Sequence, residues 1–133
     1  SAAAAPLALA EYKNGKQIGQ ADVETEKPII HYGPLRIASG TQILRDIKVH
    51  GPLDVESGVH IAGNVIARGD ITFAADVTVD GHVFSEYDVH LGPGCRVGRH
   101  GGVKTAYAAG HMSIADNVEV EGWIVAEDGG RTL

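Results

Sequence analysis

The sequence predicts an all-β, single-domain β-helix solenoid of about five 18-residue triangular coils, preceded by an N-terminal arm. One observation is a gapless internal repeat: residues 51–68 read GPLDVESGVHIAGNVIAR and residues 69–86 read GDITFAADVTVDGHVFSE. Another is the alternation inside each block. Leu53, Val55, Val59, Ile61, Val65 and Ala67 in the first block, and Ile71, Phe73, Val77, Val79, Val83 and Ser85 in the second, fall at the same six offsets. Each inward pair brackets one outward residue, as strands require, and the unit recurs every six residues. Composition agrees, because 18 glycines suit corners that need positive φ and 5% aromatics suit a narrow aliphatic core. An amphipathic helix is excluded by the persistent period-2 pairs and the Gly and Pro punctuation.

The chain divides into an arm or linker (1–32), the β-helix domain (33–127) and a short tail (128–133). Residues 1–10 are Ala-rich, are broken by Pro6 and read as a linker; a processed signal or part of a longer chain are the other readings. Asn14-Gly15 between short flanks signals a tight turn, in a small hairpin or an irregular arm. Residues 19–28 are a polar connector, after which Ile29 and Ile30 start the apolar pattern.

The first rung, 33–50, puts Leu35, Ile37, Thr41, Ile43, Ile47 and Val49 inside, and the two repeat blocks form the second and third. The fourth begins at Tyr87 and turns Val89, Leu91, Cys95 and Val97 inward. Its third side slips, giving the inward places to Val103 and Thr105, with the excess residues in corners at 99–102 and 107–109. The fifth, 110–127, buries Met112, Ile114, Val118, Val120, Ile124 and Ala126. Each buried Val or Leu contributes about 1.5–3 kcal/mol before entropy, and stability approximates a sum over neighbouring rungs.

Open end layers must be capped or used. The expected assembly surfaces are therefore Leu35, Ile37, Thr41 and Ile43 at one end, and Ile114, Val118, Val120, Ile124 and Ala126 at the other. The outward columns of the first two sides are mostly polar, through Asp54, Thr72 and His90, and through His60, Thr78 and Arg96. The third side differs: its column reads Lys48, Ile66, Phe84, Lys104 and Val125, with Trp123 alongside. The patch of Ile66, Phe84, Trp123 and Val125 predicts a cover, either the arm or another subunit. Scattered surface apolars would need none.

The net charge of −6, without a Lys/Arg cluster, argues against nucleic-acid binding. The single Cys95 can form no intramolecular disulfide and suits a reducing compartment. No apolar run is long enough for a spanning helix. Of seven histidines, only His82 and His100 are 18 apart and so would stack on the third side. A zinc site needs a third ligand, so both read as solvated surface groups, and neither metal nor cofactor is expected. Segments 89–94 (VHLGPG) and 95–100 (CRVGRH) resemble the repeats of hexapeptide acyltransferases and gamma-type carbonic anhydrases. The transferases need a catalytic His, for which His100 beside the insertion is the candidate; the three-His arrangement of the anhydrases cannot be assembled. No Ser-His-Asp set, CxxC pair or phosphate loop occurs, and the expected reading is not an enzyme.

Residues 63–71 (GNVIARGDI), 77–83 (VTVDGHV) and 118–126 (VEVEGWIVA) resemble the bactofilins, polymer-forming bacterial cytoskeletal proteins, and the resemblance covers about 33–127. It implies a right-handed triangular β-helix with terminal tails, nucleotide-independent end-to-end filaments, and no catalytic residues. It also implies a cytoplasmic, membrane-associated location, with an exported one left open. The expected function is a self-assembling scaffold, a homo-oligomer or polymer, in bacterial envelope or cell-shape organisation. The alternatives are a trimeric hexapeptide-type transferase and an accessory β-helix domain of a larger envelope protein.

Overall fold

A computed structural model of the chain describes residues 11–13, 16–18, 27–98 and 102–132. Every element is a β-strand. A first pair, β1 (Glu11–Lys13) and β2 (Lys16–Ile18), precedes β3 (Ile29–Tyr32). Five rungs of three strands follow. They are β4 (Leu35–Ile37), β5 (Gln42–Ile43) and β6 (Ile47–His50); β7 (Leu53–Val55), β8 (His60–Ile61) and β9 (Val65–Ala67); β10 (Ile71–Phe73), β11 (Thr78–Val79) and β12 (Val83–Ser85). Then come β13 (Val89–Leu91), β14 (Arg96–Val97) and β15 (Lys104–Ala108); β16 (His111–Ile114), β17 (Glu119–Val120) and β18 (Gly122–Ala126); and a last strand, β19 (Gly129–Thr132).

The strands form three sheets, one per side, with successive rungs parallel and in register. Leu35, Leu53, Ile71, Val89 and Met112 thus form one inward column, and each is at most 3% exposed. The stack runs past both bounds expected for it. β3 pairs with β6 as the third side of an earlier, partial rung, and β19 pairs with β16 as the first side of a later one. The solenoid therefore has about six turns.

The corners follow from backbone geometry. After the first side, Gly40, Gly58, Asp76, Gly94 and Asn117 occupy equivalent places and all have positive φ, from 58° at Asp76 to 77° at Gly94. The left-handed region admits Gly freely and Asp or Asn at modest cost, so this corner selects those residue types. The other two corners are linked by side-chain ladders. Asp46 Oδ1 accepts the N–H of Asn64 at 2.7 Å, and Asn64 Oδ1 accepts that of His82 at 2.7 Å. Likewise Asp70 Oδ1 accepts the N–H of Asp88 at 3.0 Å, and Asp88 Oδ1 that of His111 at 2.9 Å. A Cβ at Gly63 or Gly81 would run into Asp46 or Asn64, which explains the Gly before Asn64 and before His82.

The fourth rung is corrected. Val83, Phe84 and Ser85 pair with Ala106, Tyr107 and Ala108, so Ala106 and Ala108 point inward and are fully buried. Val103, expected inside, is 64% exposed, and Thr105 is only half-buried. The extra length lies wholly between Val97 and Ala106, and none is at 107–109, where Tyr107 and Ala108 belong to β15. The physical reason lies at the second inward place, which holds Ala67, Ser85, Ala108 and Ala126 from the second rung to the fifth: Ala108 continues that run of small side chains, where the expected register would put the larger Thr105.

The arm is corrected too. β1 pairs antiparallel with β2 and with β4, adding two strands to the first sheet. In the described residues it thus extends the first side and does not lie over the third. The turn expected at Asn14-Gly15, the linker 1–10 and the connector 19–26 lie outside the described residues.

Candidate functional site

Two surfaces stand out from a side-chain inventory otherwise absorbed by the fold. The first is the final layer. β17 and β18 are the terminal strands of their sheets, while β19 covers only the first side. Ile124 lies in register with the buried Ala106 yet is 49% exposed, and Ile114, Val118, Val120 and Ala126 are only partly buried. The layer presents an aliphatic surface flanked by strand edges.

The opposite end differs from expectation. Leu35, Ile37, Thr41 and Ile43 are buried, at 3% exposure or less, because β1 occupies the edge of β4 and β3 adds a further strand on the third side. These residues form core, and the open edges there belong to β2, β3 and β5.

The second surface is the outward column of the third side. In order it reads Ile30, Lys48, Ile66, Phe84, Tyr107 and Val125. Lys104, expected in this column, is displaced by the register change, and Tyr107 takes its place. Ile66, Phe84 and Val125 are 37–39% exposed, and Trp123, on the neighbouring outward column, is 65% exposed. Phe84 and Tyr107 stack with centroids 4.6 Å apart and planes 7° from parallel, so the parallel register sets the rings one above the other. On the flanking column Tyr32 stacks on His50 at 4.3 Å, and Arg68 lies 3.8 Å from Glu86. Desolvation first, then the charges of Arg68 and Lys48, push the His50 imidazole below its ordinary pKa, against a pull from Glu86.

The histidines serve the framework. His82 Nδ1 accepts the N–H of Thr105 at 3.0 Å, so the residue in register with His82 on the next rung is Thr105. His100 lies outside the described residues. His60 Nε2 donates to Asp80 Oδ1 at 2.9 Å, and His90 Nδ1 lies 2.9 Å from Ser113 Oγ. Among the described residues no group of three or more His, Cys, Asp or Glu could hold a metal ion. Cys95 is buried with its S–H donating to the Ala74 carbonyl at 3.0 Å. Burial pushes this thiol up, the N–H groups of Val77 and Gly92 pull it down, and the charge of Asp76 adds to the rise.

The sequence pattern did not reveal Ile30, Tyr32 and Tyr107 as members of the third face. The first two carried a signal: IIHYGP at 29–34 matches IKVHGP at 47–52. Comparison with family models, with curated proteins and with solved structures gives no match.

Proposed function

We propose that the protein is a structural scaffold that self-assembles through the end layers of its solenoid into nucleotide-independent filaments. On this reading it belongs with the bactofilins and acts in bacterial envelope or cell-shape organisation, with a membrane-associated partner. The observation that carries the reading is the final layer. A half-exposed Ile124 sits among the part-buried Ile114, Val118, Val120 and Ala126, beside unpaired strand edges. Edges of this kind template pairing with another chain, and stacking would bury the aliphatic side chains as an internal rung does. Electron microscopy and light scattering over a concentration series test it. Filaments that lengthen with concentration are expected, and a monomer or a fixed trimer at every concentration would overturn the reading. Ile124→Asp should abolish growth while leaving the circular dichroism spectrum intact, because the side chain is already half in water.

A further inference from the structure

We propose that the third face is a self-complementary lateral surface on which a second copy of this chain docks antiparallel, about a two-fold axis passing between Ile66 and Phe84. The surface is the column Ile30, Lys48, Ile66, Phe84, Tyr107 and Val125, with Arg68 and Glu86 beside it. An antiparallel two-fold reverses this column against itself. Ile66 then meets Phe84 of the second copy, Ile30 meets Val125, and Lys48 meets Tyr107, whose hydroxyl can accept from the ammonium. On the flank, Arg68 meets Glu86 of the second copy, twice by symmetry.

Charge selects this arrangement over its neighbours. A parallel two-fold, with its axis along the solenoid, sets Lys48 against Lys48. Slipping the antiparallel pair by one rung sets either Arg68 against Arg68 or Glu86 against Glu86. Like charges placed opposite are destabilising, so of these four arrangements only the stated register is free of them. The face is about 24 Å long and about 15 Å wide, so a pair buries roughly 700 Å² in all, below the usual size of stable interfaces. Single copies therefore pair weakly, and copies repeated along a polymer would pair strongly through multivalency. The lateral contact uses side-chain faces and no strand edge, so it does not depend on the end layers.

Disulfide trapping tests the proposal. Lys48→Cys and Tyr107→Cys chains are mixed at high protein concentration and oxidised with copper–phenanthroline; the buried Cys95 does not compete. The expected product is a mixed dimer joining the two cysteines, with little self-linking in either variant alone. Positions 48 and 107 are three rungs apart, about 14 Å, which a disulfide cannot bridge within one chain or between chains stacked end to end in line. Self-linking of Lys48→Cys alone, or no mixed dimer from samples whose circular dichroism is unchanged, would overturn it. Arg68→Glu should cut the yield at least fivefold, and the R68E/E86R swap should restore it. Ile124→Asp removes the multivalency of a polymer and should lower the yield to that of single copies while keeping the 48–107 linkage as the product, which separates this face from the filament ends.

Discussion

The side-chain oxygen of Asn64 accepts the backbone N–H of His82, one rung on, at 2.7 Å, while the N–H of Asn64 is itself held by Asp46. Adjacent rungs are thus tied at their corners by side chains as well as along their strands. Asn64→Ala removes one acceptor from a partly exposed donor and should cost about 1 kcal/mol of unfolding free energy in urea titrations. Asn64→Asp keeps the acceptor and should fall within a few tenths of a kcal/mol of the wild type, roughly the error of the method.

The positive-φ corner makes a second prediction. Asp76 sits at φ 58° in a column otherwise held by Gly40, Gly58, Gly94 and Asn117. Asp76→Ala forces a residue without a local hydrogen-bonding side chain into this region and should cost about 1–2 kcal/mol. Asp76→Gly should be close to neutral, the relief of strain offsetting the added freedom of the unfolded chain. Parallel thermal melts of the two variants decide it; equal losses would show that the carboxylate matters more than the dihedral angle.

Cys95 should resist alkylation. Its thiol is buried and its pKa is raised, so the reactive thiolate is scarce and shielded. Iodoacetamide labelling at pH 8 should proceed at least tenfold more slowly in the native protein than in urea. The labelling rate should follow the opening of the central rungs as denaturant is added.

His50 confers a pH dependence of definite sign. Its pKa in the folded chain lies below the ordinary value of about 6.5, so the folded state binds fewer protons than the unfolded one near that pH. Its contribution favours folding above about pH 6.5 and is lost as pH falls through that value toward the folded pKa. The urea midpoint should drop between pH 7.5 and 5.5, and His50→Gln, which cannot be protonated, should shrink that drop. An unchanged drop in the variant would assign the acid sensitivity to other groups.

The rungs from Leu35 to Val97 were legible in the sequence because their inward columns are nearly uniform and their spacing constant. The third side of the fourth rung was not, because hydropathy favours Val103 over Ala106, whose column otherwise holds Ile47, Val65, Val83 and Ile124. The column of Ala67, Ser85 and Ala126 was the cue to the true register. The N-terminal extension was half legible, since Ile29–Tyr32 repeats the pattern of Ile47–His50 at 18 residues. The placement of β1 on β4 was not, because that contact is made by backbone groups at a sheet edge, and these leave no imprint on side-chain identity. The same register error that displaced Val103 concealed the Phe84–Tyr107 stack, and with it the continuity of the third face.

Between Leu35 and Val97 each rung pairs with the next through residues 18 apart along the chain, whatever the total number of rungs. The distance the chain must travel to make its next contact is therefore fixed, and closing it costs the same entropy at the tenth coil as at the second. A longer relative would not need a different folding problem, only more repetitions of this one. The rod behaves as a ruler, advancing about 4.8 Å along its axis for every coil added. Evolution, or a designer duplicating residues 51–68, can set its length without altering either end.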